Sequence, residues 1–66
     1  MDNRIAALRK ERGLSQAELA EAVEGTRQTI ISLEGGRYNA SLALAHKLAK
    51  YFGTSIEALF IFEEDE

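Results

Sequence analysis

The sequence predicts an all-α fold of five short helices, closing in a short C-terminal strand or extended arm. Three observations carry that prediction. Proline is absent, and the five glycines, at positions 13, 25, 35, 36 and 53, each follow a stretch of helical character, where a left-handed C-terminal residue is wanted. Serine or threonine stands just ahead of the later stretches, ready to cap their first N–H groups. Inside the stretches the apolar residues recur three and four apart, the spacing of one buried helix face.

Taken in order, residues 3–12 place Ile5 and Leu8 on one face among mostly charged neighbours, and Gly13 stops that first helix. Ser15 and Glu18 have the spacing of a capping box. The second helix runs from there to about Ala22, with Leu19, Ala20 and Val23 as its apolar contribution. Thr26 opens a third helix through Glu34, with Ile30 and Leu33 inward. Only Val23, Glu24 and Gly25 separate the two. Gly35 and Gly36 end the third helix, and residues 37–40 form a loop. Ser41 caps the fourth helix, whose stripe is Leu42, Ala45, Leu48, Ala49 and Phe52. Gly53 ends it, and Thr54 with Glu57 offers a second capping box for a last short helix. Leu59, Phe60, Ile61 and Phe62 lack helical periodicity, so a strand or arm suits them better.

Length and composition exclude much. A chain of 66 residues buries only about 60% of its unfolded surface and needs close packing or self-association for stability. There is no cysteine and one histidine, which removes disulfides and Cys- or His-cluster metal sites. No apolar run approaches the roughly 18 residues of a membrane span, and the N-terminus lacks a signal-type apolar stretch. These features predict a small, soluble, cytoplasmic domain without cofactor, metal or evident small-molecule ligand. His46 reads as a partly buried surface residue. No acid, base or nucleophile candidates cluster outside the C-terminal acids, so an enzyme is not expected.

The net charge of −3 argues against nucleic acid until it is mapped. Glu63, Glu64, Asp65 and Glu66 close the chain, so residues 1–62 carry eight basic against seven acidic side chains. The division expected is a domain over residues 1–62 and an acidic tail over 63–66. The body is near neutral with basic patches, and Arg4, Arg9, Lys10 and Arg12 gather in the first helix.

Two short helices joined by a tight, glycine-containing turn form a helix-turn-helix unit. Its chemistry depends on what the second helix presents at its start. There the residues are Arg27, Gln28 and Thr29, with Ser32 one turn later. Arginine suits guanine O6 and N7, glutamine suits adenine N6 and N7, and a threonine methyl can touch the thymine methyl. A helix N-terminus also favours anions, which places Gln16 and Thr26 as phosphate contacts. Arg37, Tyr38 and Asn39 follow the third helix and are expected to grip the backbone beyond it.

The runs Leu14-Ser15-Gln16-Ala17-Glu18-Leu19-Ala20, Thr26-Arg27-Gln28-Thr29-Ile30, Leu33-Glu34 and Gly36-Arg37-Tyr38-Asn39 resemble the Cro/phage-repressor-type (xenobiotic-response-element) helix-turn-helix family. The likeness continues through Leu42-Ala43-Leu44-Ala45 and Gly53-Thr54-Ser55-Ile56-Glu57, and is nearest to members consisting of this domain alone. It implies a compact, lambda-repressor-like DNA-binding domain of five helices that regulates transcription, usually as a symmetric dimer on operator DNA. By position it implies base reading by Arg27, Gln28 and Ser32, a phosphate contact by Gln16, and a structural salt bridge between Arg9 and Glu34. Glu34 needs a cation in any case, because the macrodipole disfavours a negative charge at a helix C-terminus. The pattern departs at three places: Glu24 stands where the turn commonly has glycine, Gly25 where it often has an apolar plug, and Ala40 where a proline is common.

The function expected is a sequence-specific transcriptional regulator, a repressor, binding a palindromic site on double-stranded DNA as a homodimer. Ile61 and Phe62 are too many large apolar groups for an exposed end. They either fold back on their own domain or meet a partner's copy, and the second, favoured reading makes Leu59, Phe60, Ile61 and Phe62 the dimer interface. The alternative function, motivated by the acidic total and altered turn, is an antitoxin-like protein-interaction module on the same fold.

Overall fold

Side chains near each helix start satisfy the first free N–H groups. In a computed structural model that describes residues 2–36 and 40–61, the helices are α1 (Ile5–Glu11), α2 (Gln16–Ala22), α3 (Arg27–Glu34), α4 (Leu42–Phe52) and α5 (Ile56–Leu59). Ser15 accepts from the Glu18 amide at 3.0 Å while Glu18 accepts from the Ser15 amide at 2.7 Å, so the capping box of α2 is complete. Thr26 caps α3 and Ser41 caps α4 as expected. The last helix starts one residue later than expected. Ser55, not Thr54, is its N-cap, which leaves Glu57 too early in the helix for a reciprocal bond. The first helix is also shorter than residues 3–12, because Asn3 is held in a β-bridge to Phe60. From there the Asn3 amide oxygen accepts from the Ile5 N–H at 3.1 Å.

The glycines at 13, 36 and 53 take left-handed conformations, with φ of 70°, 76° and 71°. Gly25 does not. At the end of α2 the left-handed residue is Glu24, with φ 61°, a conformation that costs a residue with a Cβ roughly 1–2 kcal/mol. The Gly25 N–H closes the turn onto the Ala20 carbonyl at 2.8 Å. A Cβ at Gly25 would meet Val23 and Leu44 only at ordinary contact distance, 3.9–4.0 Å. Glycine is therefore not required there for its backbone freedom, contrary to the sequence reading. The Glu24 carboxylate accepts from Lys47 Nζ of α4 at 2.8 Å.

One core is shared by all five helices. Ile5, Leu19, Ala20, Val23, Ile30, Leu33, Ala45, Leu48, Ala49 and Phe52 are buried, as the helical spacing anticipates. Leu42, assigned to the α4 stripe, is instead exposed at 79%, since the helix begins there before it reaches the core. The chain end supplies the remaining core residues. Leu59 is fully buried and Phe60 is 4% exposed. Their backbone is joined to the N-terminus by Arg4 N–H to Leu59 O and Ile61 N–H to Asp2 O, both 2.8 Å. This corrects the expectation that Leu59 and Phe60 form a dimer interface: both are spent inside their own domain, leaving almost no surface for a partner. Ile61 remains exposed, and Phe62 lies outside the described residues.

Two arginines that the sequence groups as a basic patch are structural. Arg12 donates to the Tyr51 and Phe52 carbonyls at 3.2 and 3.1 Å, two of the unsatisfied carbonyls at the end of α4. Its guanidinium also lies 5.0 Å from the Phe52 ring centroid. Arg9 is buried and forms a fork on Glu34, Nε to Oε2 at 2.6 Å and Nη2 to Oε1 at 3.0 Å, while Nη1 donates to the Leu14 carbonyl at 2.8 Å. Both side chains of the pair are about a tenth exposed (11% and 9%). Burial alone would raise the Glu34 pKa. The hydrogen bonds from Arg9 and Gln16, with the nearby charges of Arg9 and Lys10, outweigh it and hold the carboxyl below its ordinary 4.5.

A depressed native pKa means that the unfolded chain binds the proton more tightly. The stabilisation from Glu34 should therefore be complete above pH 4.5 and decline as pH falls below that value. Urea midpoints measured across that window should drop with pH, and Glu34→Gln should flatten part of the slope. Arg9→Ala, which strands a buried carboxylate, should cost about 3–5 kcal/mol. Two glycines yield a contrasting pair under urea denaturation. Gly25→Ala should stabilise by about 0.4–1 kcal/mol through the unfolded chain, whereas Gly53→Ala, at φ 71°, should destabilise by about 1–2 kcal/mol.

Candidate nucleic-acid interface

The α2–turn–α3 unit divides its side chains between core and surface. Ile30 and Leu33 of α3 pack against Leu19, Ala20 and Val23 in the core, which turns the other side of α3 outward. Arg27 and Gln28, in its first turn, are exposed, and their side chains make no hydrogen bond or ion pair with other described residues. Ser32 is half-buried one turn later. Thr29 is half-buried too, and its hydroxyl lies 2.9 Å from that of Thr26, whose oxygen also accepts the Thr29 N–H at 3.2 Å. The two threonines are thus engaged with each other in the cap.

Both ends of α3 are held. Thr26 caps the start. At the other end the Leu33 carbonyl accepts from Asn3 Nδ2 at 2.8 Å, and Glu34 is clamped by Arg9. Gln16, at the first position of α2, donates through Nε2 to Glu34 Oε1 at 3.1 Å. That contact ties the beginning of α2 to the end of α3 and leaves the second N–H of the Gln16 amide available.

The structure brings Arg27, Gln28, Thr29 and Ser32 onto one helix, with Thr26 at its cap. It also joins Gln16, Arg9 and Glu34 into a single network. Arg37, Tyr38 and Asn39 lie outside the described residues. Sequence reasoning missed Ile31, half-buried and one turn beyond Arg27 and Gln28, where neighbours three and four apart share a face. An isoleucine carries no hydrogen-bonding group, so the search for base-reading side chains passes over it. Lys47 was missed as well. Its pairing with Glu24 offsets the negative charge that the turn brings near this surface and lowers the Glu24 pKa through the hydrogen bond and the charge together. That partner lies on another helix, beyond the reach of local spacing. His46 is exposed, and the described residues contain no group of three or more potential metal ligands. None of the described helices is long and apolar enough to cross a membrane.

Comparison with known proteins agrees with this geometry. The helix-turn-helix family matches residues 5–59. An uncharacterised HTH-type transcriptional regulator of Methanocaldococcus jannaschii is 47% identical over 66 residues, covering 100% of both chains. The immunity repressor of Bacillus phage phi105 is 39% identical over 56 residues, covering 85% of this chain and 39% of the repressor. Among solved structures, the restriction-modification controller protein C.AhdI of Aeromonas hydrophila superposes with a TM-score of 0.77 at 35% identity over 86% of each chain. The chain belongs to the helix-turn-helix family of the Cro and phage-repressor type and is a DNA-binding regulator.

Proposed function

We propose that this protein is a repressor that binds a palindromic operator as a homodimer, with α3 in the major groove. The observation that carries the reading is the outward, unpaired presentation of Arg27 and Gln28 on a helix held at both ends. Arg27 reads guanine and Gln28 reads adenine through bidentate bonds, and Ser32 meets the next base edge. The Thr29 methyl, its hydroxyl being engaged with Thr26, and the Ile31 side chain offer apolar contact to thymine methyls. Gln16, Thr26, Arg37, Tyr38 and Asn39 bond phosphates and set the register.

The dimer surface is what remains of the C-terminal segment. Ile61 is 43% exposed and lies in a shallow cleft with Arg4, Glu57, Ala58 and Phe60. An apolar centre flanked by one cation and one anion is self-complementary under a two-fold axis, where Arg4 of one copy can face Glu57 of the other. Phe62 extends the same apolar sequence. Such a dimer presents two α3 helices to major grooves about 34 Å apart.

Selection of bound duplexes from a random-sequence pool tests the whole reading. A palindrome with half-sites one helical turn apart is the expected product, and an unenriched pool contradicts it. On the selected duplex, Arg27→Ala should cost about 1–3 kcal/mol and relax discrimination at one base pair, while Arg37→Ala should weaken all sequences alike. An equal loss on every sequence for Arg27→Ala refutes its assignment to a base. Ile61→Glu should shift sedimentation towards the monomer while leaving the helical circular dichroism intact, since its side chain is outside the core.

A further inference from the structure

We infer that Glu34 is a positioning residue for DNA binding: its carboxylate orients the Gln16 side-chain amide so that an N–H, not the carbonyl oxygen, faces the phosphate. The inference rests on the reading of Gln16 as a phosphate contact and adds the reason that this contact has a fixed polarity. A glutamine amide has a donor side and an acceptor side of nearly the same shape. At an exposed position it can turn over, and the wrong face sets an oxygen against a phosphate oxygen. Gln16 is not free in this way. Its Nε2 lies 3.1 Å from Glu34 Oε1, and an ionised carboxylate can only accept, so the nitrogen must point to Glu34.

The carboxylate is itself immobile. Arg9 holds both of its oxygens, Nε on Oε2 at 2.6 Å and Nη2 on Oε1 at 3.0 Å. Arg9 in turn is anchored to the Leu14 carbonyl at 2.8 Å, two residues ahead of Gln16. Oε1 therefore receives one bond from the guanidinium and one from the amide, and the second Gln16 N–H is left to project away. The order of the network, Arg9 to Glu34 to Gln16, runs from a buried cation to a side chain at the α2 start.

Electrostatics and positioning predict opposite signs. Glu34→Gln removes a negative charge beside the DNA-binding unit and leaves Arg9 uncompensated. Both changes favour a polyanion, so a merely structural or electrostatic role gives the folded variant equal or tighter binding. Positioning gives weaker binding, because a glutamine at 34 can donate as well as accept and no longer fixes Gln16.

The test uses the full chain and the duplex selected from the random pool. Affinities are corrected for the folded fraction seen by circular dichroism. Gln16→Ala and Glu34→Gln should each weaken binding roughly tenfold, the scale of one hydrogen bond to a charged group. The double variant should be no weaker than Gln16→Ala alone. Unchanged or tighter binding by Glu34→Gln, beside a loss for Gln16→Ala, overturns the inference and leaves the phosphate reading standing. So do two losses that multiply in the double variant. No loss for Gln16→Ala removes the phosphate reading itself, and the inference with it. Should Glu34→Gln fail to fold, NMR of the unmodified protein decides, with exposed Gln28 as internal reference. One Gln16 Nε2 proton should resonate downfield of its Gln28 counterpart and exchange more slowly with water; indistinguishable behaviour of the two glutamines overturns the inference.

Discussion

The Arg9–Glu34 pair is the interaction on which the rest depends. A buried charge without a partner is more costly than most small domains can tolerate, so neither residue can sit where it does unless the other is present. Their union also settles the relative placement of three segments. Arg9 belongs to α1, Leu14 to the loop before α2, and Glu34 to the end of α3. Glu34 ends a helix with no basic residue in its last turn, so α3 would carry an unfavourable charge against its own dipole without help from outside. Asn3 supplies the remaining tie, donating to the Leu33 carbonyl. A helix that is to read base edges must hold its orientation, and here the N-terminal third of the chain does the holding.

That use of cations changes the charge argument. Arg9 and Arg12 are committed to Glu34 and to the α4 carbonyls, and Lys47 to Glu24. The apparent basic patch of residues 4–12 therefore shrinks to Arg4 and Lys10, both exposed. A body of near-neutral charge, with three of its eight basic side chains committed elsewhere in the fold, releases fewer counterions on binding than that total suggests. Under the DNA-reading proposal, recognition then leans on hydrogen bonds to bases and, beside Arg37, on neutral phosphate contacts, which need defined geometry more than they need charge. The clamping of α3 and the acidic balance of the chain are in this sense one design.

What the sequence made legible was local. The α2 capping box, the caps at Thr26 and Ser41, and the burial of Leu19, Ile30, Leu33 and Leu48 all follow from spacings of three or four residues within one helix. The Arg9–Glu34 pair was legible only through family resemblance and the dipole argument. Contacts between distant residues were not legible. Arg12 gives no local sign that it will cap a helix some forty residues later, because arginine at a helix end is equally at home in water. The return of Leu59 and Phe60 to their own core was misjudged for the same reason. An apolar segment at a chain end is equally consistent with intramolecular and intermolecular burial, and only the open backbone groups of Asp2 and Arg4 decide between them.

The turn shows how such non-local packing overrides local preference. A left-handed position next to a glycine should by propensity fall on the glycine, yet it falls on Glu24 while Gly25 takes an ordinary conformation. Moving the left-handed residue by one position would rotate α3 about its axis relative to α2. Val23, Ile30 and Leu33, each at most 3% exposed, would then lose their places in the core. Displacing even one fully buried aliphatic side chain costs more than the roughly 1–2 kcal/mol of strain at Glu24. The helices that the turn joins thus dictate its shape, and the Glu24–Lys47 contact forms on the surface this leaves. The departure from glycine at position 24 is therefore a tolerated local strain, and the register between the two helices is what the core maintains.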